Sequence, residues 1–310
     1  MNSLELFKTQ KFYQIDISIL KDLGYDVLLS NRIFDSLLFW KYDILFSYFY
    51  RYSFFAALLA KCFGKKTYFT GGIDSLDSDY ASAFNYKIQA LFFKLCYWVA
   101  DSCIIVSQSD LKNIFKVSSL KKKLSYSEHV INTKLFIADV PKEKIFTSIV
   151  WMGDEGNVVR KGVDKALQIF AELKKIPEFV DYRFVIIGRK GEGEVLVRSI
   201  IDKYNLKGSV ELKGEVSEED KINLLKQSKY YFQLSLYEGF GLAALEALCA
   251  NNIIIHSGKG GLANPIYKEQ LLFDIDNDFD SELLKLVNKL ACFTPITSYD
   301  NLLELSLIHI

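Results

Sequence analysis

A glycine-rich turn between two glutamates has the composition of an anion-binding helix start. The run Glu238-Gly-Phe-Gly-Leu-Ala-Ala-Leu-Glu246 follows a short apolar segment and contains Gly239 and Gly241. Glycine lets the backbone approach a ligand closely, and the free N–H groups and dipole of a helix start favour phosphate. Glu246 would lie about one turn after Leu242 on the same helix face, where a carboxylate can accept hydrogen bonds from ribose hydroxyls. A capped helix with a solvated glutamate explains the same residues equally well.

The histidines and cysteines are too scattered to form a metal site or a disulfide framework. The three histidines lack H-x-x-x-H spacing, and the five cysteines lack a C-x-x-C pair. The cysteines indicate buried thiols in a reducing cytoplasm, and neither a metal nor a cofactor is expected. The pattern Asp77-Ser-Asp79 lies in the first half of the chain, away from the phosphate turn.

The composition is typical of a globular protein, and the length predicts two domains. The chain has 310 residues, of which 50% are hydrophobic and only four are proline. Such a chain buries sizeable cores, which rules out wholesale disorder and collagen-like repeats. Its 38 basic and 38 acidic residues cancel, which argues against nucleic acid as a partner. The charge is uneven, because residues 1–145 hold 19 basic and 14 acidic residues, a local charge of +5 (19 − 14).

Short apolar runs alternate with amphipathic segments, which is typical of parallel α/β structure. Strands are predicted at Tyr25–Ser30, Ile44–Ser47, Thr67–Thr70, Ser102–Val106, Ser148–Met152, Arg183–Ile187, Val210–Leu212, Tyr230–Leu234 and Ile253–His256. Helices are predicted at Ser53–Phe63, Tyr86–Ala100, Lys165–Lys175, Val195–Tyr204, Gly241–Ala250 and Leu283–Leu290, with another beginning at Ser217. We expect two doubly wound units, residues 1–143 and 144–310, with ligands at the carboxyl ends of their strands.

The second half resembles the GT-B glycosyltransferases, especially the retaining family 4. The turn at 238–246 is similar to the E-x7-E signature of that family. Val150-Trp-Met-Gly153, followed by Lys161-Gly-Val-Asp, resembles its first strand, phosphate-binding loop and helix. The segment Arg183–Gly188 and the Gly-Gly-Leu turn within 256–262 then follow in the family's order. This resemblance implies two Rossmann-like domains facing a cleft, with the nucleotide sugar bound by the second.

The resemblance also implies a role for each residue near the turn. Lys161 would neutralise the donor diphosphate and the leaving nucleotide, Glu238 would contact the donor sugar, and Glu246 would bind the ribose. The other donor-binding positions would be Gly153, Arg160, Gly188, Val216, Gly239, Phe240, Gly241 and Leu242. Fixed N–H donors and a lysine stabilise negative charge on a departing phosphate oxygen without a metal.

Three positions depart from the family pattern. Asp154 stands where the family usually has arginine, and it would repel a diphosphate unless Arg160 reaches in from the loop 154–159. Leu234 replaces the usual proline, and Asn264 replaces the usual acid after the Gly-Gly-Leu turn.

The two ends of the chain also differ from the family. Phe12–Leu23 resembles the family's first helix, so its usual first strand is not visible and the first domain is expected to be shortened. Residues 297–310 do not resemble the usual long terminal helix. A compact variant and a truncated chain both remain open explanations.

The acceptor side is predicted from a polar loop in the first half. Residues 91–111 and 129–136 of that half resemble the family's acceptor domain loosely. Asp74, which ends the loop Thr70-Gly-Gly-Ile-Asp, would orient an acceptor hydroxyl as a catalytic residue. A surface turn with helix-capping acids explains the loop equally well. His129 is expected to be a loop histidine rather than a base, and His256 a packed histidine.

A basic run in the same half suits an anionic membrane surface. Lys112, Lys116 and Lys121–Lys123 lie beside apolar residues. Met1–Gln10 lacks the pattern of a signal peptide, and no apolar stretch reaches the length of a membrane span. We therefore expect a cytoplasmic protein that binds the inner face of the membrane peripherally, although a solvated helix face explains the same lysines.

Together these features predict a metal-independent glycosyltransferase. It would move a sugar from a nucleotide-diphosphate sugar to a hydroxyl of a saccharide or lipid-linked saccharide, in surface polysaccharide or glycolipid synthesis. Retention of the anomeric configuration rests on the resemblance alone. One alternative is a non-hydrolysing nucleotide-sugar epimerase on the same fold, for which the chain offers few acid/base residues. The other is a catalytically inactive glycosyltransferase-like partner subunit, suggested by Asp154.

Overall fold

The chain forms two compact units, each built on one parallel β-sheet. The computed structural model describes residues 4, 7, 11–71, 73–118, 121–137 and 140–293. The units comprise Met1–Val130 and Ile131–Ile310. Residues 297–310, for which no long helix was predicted, lie outside the described residues.

The first unit has four described strands, which follow one another in chain order across the sheet. Its elements are α1 (Lys11–Asp22), β1 (Ile44–Tyr48), α2 (Tyr50–Cys62), β2 (Lys66–Thr70), α3 (Ala83–Val99), β3 (Ser102–Ile105), α4 (Gln108–Val117) and β4 (Leu124–Tyr126). All neighbouring strands are parallel, and a helix connects each strand to the next.

The strand predicted at Tyr25–Ser30 is wrong. This segment has no regular structure, and the side chains of Leu28 and Tyr25 are 71% and 50% exposed. Among the described residues β1 forms the edge of the sheet and pairs with β2 alone, so the segment does not add a strand at that edge. The other three strands predicted in this half are confirmed within one residue at each end.

The second unit contains a six-stranded parallel sheet in the order β10-β9-β8-β5-β6-β7. Its strands are β5 (Glu143–Ile149), β6 (Arg183–Ile187), β7 (Val210–Gly214), β8 (Ser228–Gln233), β9 (Ile253–His256) and β10 (Leu271–Leu272). Its helices are α5 (Glu155–Arg160), α6 (Val163–Leu173), α7 (Glu194–Lys203), α8 (Glu218–Gln227), α9 (Leu242–Cys249) and α10 (Phe279–Cys292). This is the strand order of a Rossmann sheet, and the order reverses between β5 and β8.

The first strand of this sheet begins earlier than predicted. The prediction was Ser148–Met152, whereas β5 runs from Glu143 to Ile149. Its polar residues are accommodated by hydrogen bonds inside the sheet. The hydroxyls of Thr147 and Ser228 lie 2.5 Å apart, and Ser148 Oγ donates to the carbonyl of Phe232 at 2.8 Å. An apolar pattern alone therefore missed the start of the strand.

Stacked aromatic rings fill the core of the second unit. The ring of Phe146 on β5 lies 4.6 Å from that of Tyr230 and 5.0 Å from that of Phe232, both on β8. All three are buried. Such pairs add to the stabilisation from buried area, so β5 and β8 are firmly held side by side.

The segment that leads into the second sheet belongs to the second unit. Phe136 is buried in an apolar cluster with Tyr231 and Leu262, and Ile131 packs against the same cluster. The chain accordingly divides after Val130, whereas the sequence suggested a boundary at 143/144.

Candidate active site

Two loops at the reversal of strand order bring a lysine and a glutamate together. Lys161 ends α5, which follows β5, and Glu238 lies in the loop that follows β8. Lys161 Nζ lies 2.7 Å from Glu238 Oε2, and both side chains are mostly shielded from solvent. The carboxyl ends of strands at such a reversal are where open α/β sheets bind ligands.

A close backbone approach fixes this pairing. Gly162 adopts φ of +68°, and a Cβ at this position would lie 2.0 Å from the carbonyl oxygen of Leu234. The N–H of Leu236 also donates to the carbonyl of Arg160 at 2.8 Å. Only glycine fits between these loops, so it determines the position of the adjacent Lys161.

Two further polar side chains hold the carboxylate of Glu238 and a third orients one of them, and no sequence motif indicated these three. Gln233 Nε2 and Ser235 Oγ each donate to Glu238 Oε2 at 3.1 Å. The hydroxyl of Tyr231 donates to Gln233 Oε1 at 3.1 Å. Burial raises the pKa of Tyr231, which keeps it a protonated donor. A connected buried network of this kind fixes the orientation of the carboxylate.

The predicted Gly-Gly-Leu turn supports the backbone of Glu238. The N–H of Gly261 donates to the carbonyl of Glu238 at 2.5 Å. A Cβ on Gly260 would lie 2.2 Å from that carbonyl oxygen, and one on Gly261 would lie 2.6 Å from the Cα of Phe240. Space at Gly239 is open, since a Cβ placed there would meet no atom within 4 Å. The turn is therefore supported on one side and open to a ligand on the other.

Helix α9 begins without a side-chain cap. Its N-cap is Gly241 at φ +89°, and Leu242 is the first helical residue. The hydroxyl of Tyr267 donates to the carbonyl of Gly241 at 3.4 Å. Uncapped N–H groups at a helix start can donate to a phosphate, as the sequence pattern predicted.

Glu246 is buried within α9 and paired with a lysine from α8. Its carboxylate Oε2 lies 2.8 Å from Lys221 Nζ, and its side chain is only 3% exposed. Lys221 also lies 3.0 Å from Glu218. The alternative of a solvated glutamate therefore does not describe this residue. Nothing in the sequence pattern had pointed to Lys221.

The remaining residues predicted to bind the donor have varied surroundings. Gly188 directly follows β6 and adopts φ of +130°. The carbonyl of Val150 lies too close for any side chain at this position. Val216 packs against an apolar cluster rather than projecting from the loop. Arg160 donates to Asn157 Oδ1 at 2.6 Å. Gly153 is covered by the ring of Trp151, whose carbons lie 2.8 Å from a Cβ placed there.

The loop predicted at 154–159 is a helix, and this explains the unexpected acid. Asp154 is the N-cap of α5, and its Oδ1 accepts a hydrogen bond from the N–H of Asn157 at 2.6 Å. A capping carboxylate is stabilising at a helix start. The sequence analysis did not identify Arg189, yet its guanidinium lies 5.9 Å from the centre of the Trp151 ring, in the segment that leads into α5.

Asp74 belongs to the first unit and lies in an exposed turn. Its Oδ1 accepts a hydrogen bond from the N–H of Ser75 at 2.8 Å. Gly72 of the same loop lies outside the described residues. The neighbouring Asp77 accepts from the N–H groups of Asp79 and Tyr80, so its Oδ1 serves the turn itself.

The two described histidines are packed. Burial lowers the pKa of His129 from 6.5 to about 4. Burial and the charge of Lys289 likewise lower the pKa of His256 to about 4, and its ring lies 5.6 Å from that of Tyr267. Both imidazoles are therefore neutral near pH 7. Within the described ranges, no three His, Cys, Asp or Glu side chains are grouped closely enough to hold a metal.

Comparison with known proteins agrees with this geometry. Residues 156–290 match the model of the family described as Glycosyl transferases group 1. A GDP-mannose:cellobiosyl-diphosphopolyprenol alpha-mannosyltransferase of Xanthomonas oryzae pv. oryzae (strain PXO99A) is 32% identical over 144 residues, which is 40% of this chain and 37% of that protein. A human phosphatidylinositol N-acetylglucosaminyltransferase subunit is 30% identical over 105 residues, 34% of this chain and 21% of that protein. The chain thus spans less than two-fifths of the length of these relatives.

Solved structures share the fold over most of the chain. Anabaena HepE in complex with UDP-glucose matches with a TM-score of 0.65 and 12% identity, over 88% of this chain and 79% of that one. A crystal structure of TarM matches with a TM-score of 0.63 and 18% identity, over 79% and 47%. The predicted fold class is confirmed: the protein has the GT-B fold, with two Rossmann-like domains. The match to the glycosyl transferases group 1 model, over residues 156–290, lies within the second unit.

Proposed function

We propose that the chain transfers a sugar from a nucleotide-diphosphate sugar to a saccharide or lipid-linked saccharide hydroxyl, with retention as in family 4. The observation that carries this proposal is the Lys161–Glu238 pair at the reversal of strand order, beside the uncapped start of α9. A cation and free N–H groups at one point suit a departing diphosphate.

The network around Glu238 supports a division of roles. Lys161 Nζ neutralises Glu238 before the donor binds, at 2.7 Å. A bound diphosphate would share that cation, while Gln233 and Ser235 would continue to hold the carboxylate. Glu238 is then free to accept hydrogen bonds from sugar hydroxyls, and the lysine stabilises charge on the leaving phosphate oxygen. The buried Glu246 on α9 would accept hydrogen bonds from the ribose.

Donor turnover by the purified chain tests the proposal. Nucleotide sugars are first screened by thermal shift, since a ligand at 100 times its Kd stabilises a protein by about 2.7 kcal/mol. Transfer or slow hydrolysis of the stabilising donor is then followed as release of nucleoside diphosphate. Lys161→Ala is expected to lower kcat/KM by roughly a hundredfold or more. Lys203→Ala, an exposed lysine on α7, is the matched control and should leave turnover unchanged.

The alternatives give different results in the same assay. Binding without turnover would support an inactive partner subunit, and conversion of the nucleotide sugar to its epimer would support an epimerase. We also propose that activity needs no metal, so turnover should persist in EDTA. Activity lost in EDTA and restored by Mg²⁺ would contradict this mechanism.

We further propose that the reaction takes place at the cytoplasmic face of a membrane. The support is the Xanthomonas relative, which is named as a mannosyltransferase for a cellobiosyl-diphosphopolyprenol. Within the described part of the chain, no helix is long and apolar enough to span a bilayer. Binding at the surface would bring a lipid-linked acceptor within reach of the first unit.

A further inference from the structure

Helix α3 of the first unit displays a row of apolar and basic side chains. Phe84, Lys87, Leu91, Lys94 and Trp98 are spaced by three or four residues, so they lie along one face of the helix. All five are exposed, and the values for Phe84 and Trp98 are both 71%. Isolated exposed apolar residues are ordinary, but a helical row in which exposed apolar and basic side chains alternate marks a binding surface. We call this row the α3 stripe.

The opposite face of α3 is anchored in the core, so the stripe is not a misplaced core face. Phe93 and Cys96 are fully buried, and the ring of Phe93 lies 5.2 Å from that of Tyr50 on α2. Cys96 Sγ donates to the carbonyl of Tyr50 at 3.1 Å. The helix is therefore fixed with the stripe facing outward.

The charge around the stripe is of one sign. Helices α2 and α3 contain no Asp or Glu between them. Arg51 on α2 is exposed, as are Lys87 and Lys94, and α2 exposes two more aromatic side chains, Tyr52 at 80% and Phe55 at 56%. The exposed Asp101 that follows α3 is paired with Lys61 of α2 at 2.8 Å. Aromatic and basic side chains on helices that themselves lack acids are complementary to an anionic partner that also has an apolar layer.

We infer that the α3 stripe docks the first unit on an anionic lipid membrane. Phe84, Leu91 and Trp98 would enter the boundary between headgroups and acyl chains, while Lys87 and Lys94 would extend toward lipid phosphates. The stripe is about 21 Å long, at 1.5 Å of rise per residue, so it lies along a membrane surface. A second copy of the chain fits less well, because a symmetric contact would bring lysines against lysines.

Two lysines of the basic run first suggested by the sequence, Lys121 and Lys123, are engaged within their own unit. Lys123 Nζ donates to the carbonyls of Tyr97 and Trp98 at 3.2 and 3.0 Å, which caps the end of α3. Lys121 Nζ lies 4.7 Å from the centre of the Phe115 ring. On α4 the exposed lysines of this run accompany a single exposed large apolar side chain, Phe115, whereas the stripe combines its lysines with three. The inference deepens the proposed function and rests on its lipid-linked acceptor, but docking is measured without any donor.

Vesicle co-sedimentation of the full chain tests the docking surface. The protein is expected to sediment with vesicles that contain phosphatidylglycerol and to remain in solution with pure phosphatidylcholine. Lys87→Glu/Lys94→Glu should lower the partition coefficient by more than about tenfold. Phe84→Ser/Leu91→Ser/Trp98→Ser should abolish binding at moderate salt. Lys116→Glu/Lys122→Glu, with the same charge change on exposed lysines of the basic run, is the matched control and should bind nearly as wild type.

Tryptophan fluorescence supplies a second readout at the stripe itself. In Trp40→Phe/Trp151→Phe, Trp98 is the remaining tryptophan, and its emission should shift to the blue with anionic vesicles. Addition of Lys87→Glu/Lys94→Glu should remove the shift. Circular dichroism checks that each variant is folded.

Four results would overturn the inference. These are no binding to anionic vesicles, equal binding to neutral ones, an equal loss in the control variant, and a change of oligomeric state in place of vesicle binding. Donor turnover in solution by the stripe variants separates this failure from that of the proposed function, because none of their residues lies in the candidate active site.

Discussion

Two carboxylates in the candidate site are each neutralised by a lysine, and the pairs differ in their exposure. The side chains of Lys161 and Glu238 are 21% and 15% exposed, so a ligand can reach them. Those of Lys221 and Glu246 are 13% and 3% exposed. Removal of one partner from a buried pair leaves an uncompensated charge, which costs more than the pair contributes. The first pair can thus exchange its contact for one with a ligand, whereas the second pair holds α8 and α9 in position.

Lys221→Met is expected to lower the free energy of unfolding by about 3 kcal/mol, because Glu246 loses its buried counter-charge. Lys221→Met/Glu246→Gln should recover most of that loss, since the remaining group is uncharged. Lys175→Met is the control, because its pair with Glu172 is exposed and should contribute less than about 1 kcal/mol. Urea denaturation measures all of these. A double variant no more stable than Lys221→Met would refute the pairing.

At the scale of elements, glycine sets the spacing between the site loops, because a Cβ would not fit between them. Gly162 and Gly208 both adopt positive φ, at +68° and +86°, but only Gly162 is enclosed by neighbouring atoms. The comparison separates the cost of backbone strain from that of steric overlap with Leu234.

Gly208→Ala is expected to lower the free energy of unfolding by about 1 kcal/mol, from the left-handed backbone alone. Gly162→Ala should cost about 3 kcal/mol, because its methyl group also forces the loops of β5 and β8 apart. It should reduce donor turnover as well, since Lys161 is the preceding residue. Denaturation and turnover are measured together. Equal losses in the two variants would show that the loops move apart without lowering the free energy of unfolding.

The sequence predicted elements well where burial was uniform. The strands Arg183–Ile187 and Ile253–His256 have the predicted bounds, because each is a continuous apolar run between covered faces. The same kind of run at Tyr25–Ser30 has no strand beside it, and an apolar pattern does not reveal its neighbours. Helix α5 was missed because it has six residues and includes Gly156, too short for a periodic signal.

At the scale of the molecule, the described part of each unit contains one histidine that its surroundings keep neutral. The pKa of His129 in the first unit and that of His256 in the second are both lowered from 6.5 to about 4. Between these values the unfolded chain binds more protons than the folded one, so the free energy of unfolding falls as pH decreases. Both units are therefore expected to lose stability in mild acid.

His256→Leu is expected to flatten the dependence of stability on pH between about 6.5 and 4, since it removes one of these groups. Wild-type and variant chains are compared by urea denaturation at pH 7 and at pH 5. The wild type should lose more stability between the two. An unchanged slope in the variant would mean that His256 does not titrate as its burial implies.

The candidate site was predicted only in part, because some of its contacts form only when the chain folds. The turn from Glu238 to Glu246 and the cation Lys161 follow from motifs local to the chain. Lys221 reaches Glu246 from another helix, 25 residues away in the sequence, and no local spacing encodes that contact. Gln233 lies only five residues before Glu238, but no motif indicates that the loop after β8 turns the carboxylate back onto it.

Lys142 has a consequence for how a donor would be received. Its Nζ donates to the carbonyls of Leu225 near the end of α8 and of Ala250 at the end of α9, at 3.3 and 2.5 Å. Lys221 and Glu246 tie the same helices together at a second point. Two helices joined at two points move as one body, so the proposed ribose site would be preorganised and little conformational entropy would be lost on nucleotide binding. Selectivity for the nucleotide would then come from its fit to these fixed helices. The loop around Gly239 is the part that would adjust its conformation to the donor.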